Sequence, residues 1–222
     1  MSQTFQVDLG GIVDLLARHL YSSPRVYLRE LLQNGTDAIT ALAEVGASSP
    51  GVSSTAGPGA TTPRVTLRCR PDGSLEVTDT GVGLTLAEAE ELLATIGRSS
   101  KRDLEMGTGR EQFLGQFGIG MLSAFMVADE IELVSRSARH PQAPAVRWTG
   151  HADGRYTLVE LSDDDPRRPE QPGSTVRLAP RRDLEHWLEP ETVAALAADY
   201  GSLLPVELLL EVEGADGSEQ QL

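Results

Sequence analysis

The sequence predicts an α+β domain, a two-layer sandwich in which a mostly antiparallel, twisted sheet is covered on one face by helices. Three observations predict it. Short runs such as RVTLRCR and SLEVTDT alternate apolar and polar residues, the period of a half-buried strand. A Pro-Asp-Gly turn joins those two runs directly, so strands come as hairpins. Longer stretches such as YLRELLQNGTDAITALAEV repeat apolar residues at helical spacing.

In chain order, Phe5, Val7 and Leu9 alternate with polar residues and predict a short first strand. GGIVDLLARHLY follows as a helix with Ile12, Leu15, Leu16 and Leu20 on one side. Ser23 suits an N-cap and Pro24 the first helical position, so a second helix is predicted from there to about Glu44. Residues 46–63, GASSPGVSSTAGPGATTP, have no apolar period and read as a mobile surface loop or flexible connector. An inserted loop is preferred to a domain boundary, because the segment before it is too short to fold alone; residues 1–222 are thus read as a single domain. After the hairpin, TLAEAEELLATIG is a helix with Thr85 as N-cap. Residues 99–109 are polar with little period, and GQFGIGMLSAFMVAD is a glycine-rich turn leading into a helix. EIELVSRSA, VRWTGHA, YTLVELS, STVRLAP and VELLLEVEG are strands, and DLEHWLEPETVAALAADYGSLL adds one or two helices.

Composition narrows the function. Against 33 acidic side chains stand 19 Lys and Arg, a formal net charge of −14, which speaks against wrapping nucleic-acid phosphates. The N-terminus lacks a basic region followed by an apolar run, and no apolar run approaches the ~20 residues of a membrane span. A soluble cytoplasmic protein with no nucleic-acid or membrane partner is expected. The single cysteine, Cys69, lies in a strand run and reads as a small half-buried residue rather than a reactive thiol. His19, His140, His151 and His186 are too scattered for a metal set; Asp163 to Asp165 precede Pro166 as a solvated turn; Trp148 and Trp187 read as core or edge aromatics.

The segment LRELLQNGTDAI carries the chemistry. At about 100° per residue, Glu30, Asn34 and Asp37 fall at roughly 0°, 40° and −20°, one narrow stripe with Ala38 on its edge. A solvated polar face is the ordinary meaning of such a stripe. Here it does not continue as charges, since Tyr27 precedes it and Ala41 follows it; Ala38 and Gly35 leave one flank bare, as if something approaches the backbone; and Asn34 is an oxygen donor suited to Mg²⁺. Next, DTGVGL puts Asp79 at a strand end with Gly81 and Gly83 behind it, able to present a carboxylate where a flat ligand lies close. Taken alone it is an ordinary turn. Then GQFGIG sets glycines at 115, 118 and 120 before a helix, where backbone N–H groups can cradle phosphates. It has neither the order of a dinucleotide fold nor the Gly-Lys-Ser/Thr of a P-loop.

Together and in this order, the three motifs resemble the ATP-binding domain shared by gyrase B, heat-shock protein 90, sensor histidine kinases and the mismatch-repair protein MutL. FQVDLGGIVDLLARHLYSSPRVYLRELLQNGTDAI, VTDTGVGLT, TIGRSS and GQFGIGMLSAFMVAD are most similar to the heat-shock protein 90 family, including its bacterial high-temperature protein G type. The resemblance spans nearly all of residues 4–212. It implies a Bergerat-type fold and a chaperone cycle for protein folding, driven by slow Mg²⁺-dependent ATP hydrolysis. By that resemblance Glu30 is the general base and Asn34 holds Mg²⁺. Asp79 takes the adenine amino group, Ser174 joins it through water, and Asp37, Ala38, Gly83 and Leu84 line the base side. Gly115, Gln116, Phe117, Gly118, Ile119 and Gly120 close over the phosphates, within a lid of about residues 97–120.

Leu84 stands where the family usually has Met, Leu92 where it commonly has Asn, and Met121 where it has Phe, so affinity and lid kinetics are expected to differ more than nucleotide identity. The resemblance also implies a middle domain and a dimerisation domain, through which client proteins and a homodimer partner would bind. The chain is expected to be an excised N-terminal domain, with residues 213–222 starting a linker; a natural short protein is the alternative. Two other functions compete: an ATP-dependent clamp of the gyrase B or MutL type acting on DNA, and a nucleotide switch that does not hydrolyse.

Overall fold

A computed structural model describes residues 3–4, 23–47, 62–91, 119–214 and 218–221. The expected strand at Phe5–Leu9, the expected helix after it, residues 48–61 of the loop, residues 92–96 of the expected helix after Thr85, and residues 97–118 of the lid lie outside the described residues.

Among the described residues nine strands form one sheet: β1 (Gln3–Thr4), β2 (Arg64–Cys69), β3 (Leu75–Asp79), β4 (Ala128–Arg136), β5 (Val146–His151), β6 (Arg155–Glu160), β7 (Gly173–Pro180), β8 (Glu207–Glu213) and β9 (Glu219–Gln221). Their order is β1-β6-β5-β4-β7-β3-β2-β8-β9. Every neighbouring pair is antiparallel except β2 and β8, which run parallel with Val65 opposite Leu208. Helices α1 (Val26–Ala47) and α2 (Pro190–Gly201) and a 3-10 helix (Ile119–Met126) pack against it. This is the α+β sandwich that the alternation predicts.

The strand period is what builds the core. Val65, Leu67 and Cys69 of β2, Leu75 and Val77 of β3, and Ile131 and Leu133 of β4 are buried on one face. They meet Leu28, Leu31, Leu32 and Ile39 of α1, Leu122 and Phe125 of the 3-10 helix, and Val193 and Leu196 of α2. Cys69 is a strand residue, as its run predicts, but fully rather than half-buried, and burial pushes its thiol up to about 11. The opposite face carries ion pairs such as Arg68–Glu211 at 2.7 Å and Arg70–Glu76 at 3.1 Å, partly exposed and of small energetic value. Gly73, with φ at 80°, makes the turn of the β2–β3 hairpin.

α1 begins two residues after Pro24: Ser23–Arg25 form a turn in which the Tyr27 N–H donates to the Pro24 carbonyl at 3.0 Å. It runs to Ala47, one turn beyond the expected end. Its poor helix residues have local explanations. The Thr36 hydroxyl donates to the Leu32 carbonyl at 2.9 Å, so the buried side chain is satisfied within the helix. A Cβ at Gly35 would lie 2.9 Å from Val65 Cγ2 and 3.3 Å from Asp79 Cβ. What approaches the bare flank of α1 is therefore the sheet, and Gly35 lets helix and strands close on each other.

Two elements differ from expectation. MLSAFM is a 3-10 helix rather than an α-helix. It is a buried wedge between α1 and the sheet, and the Ser123 hydroxyl donates to the Gly120 carbonyl at 2.5 Å. Residues 219–221, expected within a linker, pair with Glu211–Glu213 as β9, and the Gly214 N–H donates to the Ser218 carbonyl at 2.7 Å.

On β5, Trp148 and Gly150 share the inner face, and a Cβ at Gly150 would lie 2.3 Å from Trp148 Cζ2. The buried ring has no room to retreat, so Gly150→Ala is expected to cost about 2 kcal/mol of stability, read from the urea midpoint. An unchanged midpoint would refute the overpacking.

Candidate functional site

A cavity of about 210 Å³ opens between α1 and the sheet. Leu31, Asn34, Gly35, Asp37 and Ala38 of α1 form one wall; Val77 and Asp79 of β3, Leu133 of β4 and Ser174 and Val176 of β7 form the floor; Val82, Gly83, Leu84 and Met121 complete it. The lining is mostly apolar with few polar groups, the character of a site for a flat organic ligand.

Asp79 is the last residue of β3 and sits opposite Ser174 of β7. Its Oδ1 accepts the Gly81 N–H at 2.8 Å. Burial pushes its carboxyl up to about 6, offset in part by the backbone N–H groups of Gly81 and Ser174. The chain after Asp79 is stapled on both sides. The Val82 N–H donates to the Ala38 carbonyl of α1 at 3.0 Å, and the Ala138 N–H donates to the Val82 carbonyl at 2.8 Å. Gly81 lies so close to Ala38 that an added Cβ would be 2.6 Å from it. Gly83 has φ at 60°, and its Cβ would fall 1.9 Å from the Arg136 carbonyl. The two glycines thus hold Asp79, Leu84 and α1 in one arrangement.

Ser135, which no sequence motif marks, lies behind this wall and is fully buried. Its hydroxyl accepts the Leu84 N–H at 2.8 Å and stands 3.1 Å from the Gly173 carbonyl and 2.9 Å from the Ser174 hydroxyl. The signal was present: Ile131, Leu133 and Ser135 share one face of β4, and a hydroxyl occupies the third apolar position.

Along α1, Asn34 is half-buried, lines the cavity, and has no side-chain hydrogen bond to another described residue. Asp37 is exposed at the rim, its Oδ1 taking Gln33 Nε2 at 2.8 Å. Glu30 is 8% exposed, and its Oε1 accepts Arg29 Nη2 at 2.8 Å and Nε at 3.2 Å. Its other oxygen abuts Gly120, where a Cβ would come within 2.6 Å. The structure thus brings Glu30 against the last glycine of the glycine-rich segment. Ile119 and Gly120 open the 3-10 helix; Gly115, Gln116, Phe117 and Gly118 lie outside the described residues. From Glu30 to Ala38 the helix rises about 12 Å, so the carboxylates of Glu30 and Asp79 mark opposite ends of an elongated site.

No group of three or more His, Cys, Asp or Glu among the described residues could hold a metal ion. The Asn34 amide, which bonds no other described residue through its side chain, fits a hard cation that takes one protein oxygen and completes its shell with phosphate oxygens and water. No helix among the described residues is long and apolar enough to cross a membrane.

Residues 21–167 match the family described as histidine kinase-, DNA gyrase B-, and HSP90-like ATPase. The chain is similar to proteins named Chaperone protein HtpG: 31% identical to that of Actinobacillus succinogenes over 98% of this chain and 34% of the relative. It is 32% identical to that of Methylobacterium nodulans over 97% and 34%, and 29% identical to that of Geobacter sulfurreducens over 99% and 35%. The chain spans about a third of the length of these relatives.

Proposed function

Since the chain belongs to the histidine kinase-, DNA gyrase B- and HSP90-like ATPase family, we propose that it binds ATP in the cavity under α1 and hydrolyses it slowly, as the nucleotide-binding domain of an HSP90-type chaperone. One observation carries the reading: a carboxylate and a hydroxyl, Asp79 and Ser174, face an apolar slot beside the middle of α1, while a second carboxylate, Glu30, sits nearer the start of that helix beside Gly120. The first pair suits a base bearing an amino group; the Glu30 end suits a triphosphate tail.

Val77, Val82, Leu84 and Val176 would sandwich the base and exclude water, which strengthens the hydrogen bond to Asp79. Asp79 would accept the adenine amino group, with Asp37 and Ala38 at the base side. Asn34 would hold Mg²⁺, which when bound offsets phosphate charge. Glu30 would take the proton of the attacking water on the oxygen that faces Gly120, while Arg29 grips the other and fixes the carboxylate's orientation. Gly115 to Gly120 would cover the phosphates within the lid. The wider proposal includes client proteins and a homodimer partner bound through further domains, and a cytoplasmic location.

A nucleotide switch without hydrolysis is the second reading, favoured by the engagement of Glu30 with Arg29. The net charge of −14 disfavours a clamp on DNA. Calorimetric titration of the domain with ATP, ADP and GTP tests the proposal. Saturable binding of both adenine nucleotides, with GTP far weaker, is expected. No binding, or equal binding of GTP, would overturn it.

A further inference from the structure

We propose that Ser135 is a positioning residue that makes the base end of the cavity read a hydrogen-bond donor, and so an amino rather than an oxo group at position 6 of a purine. The inference rests on the adenine-nucleotide reading above and adds a residue that does not line the cavity.

A serine hydroxyl has one hydrogen and two lone pairs. Ser135 Oγ meets three groups: the Leu84 N–H at 2.8 Å, the Gly173 carbonyl at 3.1 Å and the Ser174 hydroxyl at 2.9 Å. The N–H can only donate, so it takes one lone pair of Ser135. The carbonyl can only accept, so the hydrogen of Ser135 points to it; directing that hydrogen elsewhere would set two oxygens facing each other without one. The remaining contact is then fixed. Ser174 donates to the second lone pair of Ser135, and Ser135 is completely buried, so no water alters the count.

The consequence falls on the cavity. Ser174 has spent its hydrogen on Ser135 and presents only lone pairs to the ligand. Asp79, its partner across the β3–β7 register, is a carboxylate and also accepts. Two acceptors side by side favour an edge that donates to them directly. An oxo group there meets lone pairs on both sides. Removing Ser135 Oγ frees the Ser174 hydrogen to turn toward the cavity, and the site then tolerates an oxo group.

The test compares ATP with ITP, which carries an oxo group at that position, by calorimetry on wild type, Ser135→Ala, Ser135→Thr and Ser174→Ala. In Ser135→Ala, ATP affinity is expected to fall roughly five- to tenfold and ITP affinity to hold or rise, so that the ATP/ITP ratio drops about tenfold or more. Ser135→Thr, which keeps the hydroxyl, is expected to keep the wild-type ratio. Ser174→Ala should also lower the ratio. Loss of ATP and ITP affinity in equal proportion in Ser135→Ala would reduce Ser135 to a structural role and overturn the proposal. Amide exchange at Leu84 reports on the network without nucleotide: it should accelerate in Ser135→Ala and stay slow in Ser135→Thr, and unchanged exchange in the Ala variant would refute the proposal. A wild type that binds neither nucleotide would instead refute the ATP reading, with the exchange result still deciding the hydroxyl network.

Discussion

Asp79→Asn is expected to abolish adenine-nucleotide binding and, at neutral pH, to stabilise the nucleotide-free domain. Both effects come from burial of the same carboxylate. Its pKa rises from 3.8 to about 6 because the ionised form is poorly solvated at the cavity floor. A group whose folded pKa lies above its unfolded one favours folding fully below the unfolded value, and that contribution is lost as pH rises through about 6. At pH 7 the ionised Asp79 is thus a cost to the fold, on the order of 2–3 kcal/mol. Asparagine keeps an oxygen for the Gly81 N–H but turns an amide donor toward the Ser174 N–H, which returns part of the gain; a net stabilisation of about 1–2 kcal/mol follows. The difference in melting temperature between variant and wild type should be largest near pH 7 and vanish near pH 4. Wild-type affinity for adenosine, which has no titrating phosphate, should fall about tenfold per pH unit below 6. Retained affinity in the variant, or a stability gain independent of pH, would contradict the assignment.

Glu30→Ala is expected to leave ATP affinity within about twofold and to lower the hydrolysis rate by roughly 10²-fold or more, the usual share of a positioned general base. The separation follows from geometry, because Glu30 lies outside the residues lining the cavity and contacts Gly120 at the opposite end from Asp79. Glu30→Gln keeps the shape beside Gly120 and should lose the rate equally, which distinguishes lost proton acceptance from lost packing. Single-turnover phosphate release under saturating Mg–ATP is the measurement. Equal rates in wild type and both variants would remove Glu30 from catalysis and leave the switch as the better reading.

The core strands were legible because their information is local. Val65, Leu67 and Cys69 alternate within one run, and Pro71-Asp72-Gly73 dictates the turn that follows. The helical stripe was legible for the same reason, since 3.6-residue geometry alone aligns Glu30, Asn34 and Asp37. What the sequence could not display were meetings between distant segments. Gly35 was read as room for a ligand, yet Val65 and Asp79, on strands beyond the long loop, press against it. The parallel pairing of β2 with β8 has no local signature, and neither has the convergence of Leu84, Ser135 and Ser174 from three elements. The 3-10 geometry of Ile119–Met126 depends on confinement between α1 and the sheet, which an apolar run does not encode.

The β2–β8 pairing also bears on how the domain is made. Arg68 and Glu211, which meet across it, are 143 positions apart. During synthesis from the N-terminus, β2 pairs early with its hairpin partner while its other edge stays bare until β8 emerges. That edge belongs to a strand whose buried face is Val65, Leu67 and Cys69, the kind of exposed edge that recruits a second nascent chain. Topology with such long-range contacts folds slowly. The bare β2 edge is therefore the place where misassembly during synthesis is expected to begin, and β8 is the strand that closes it.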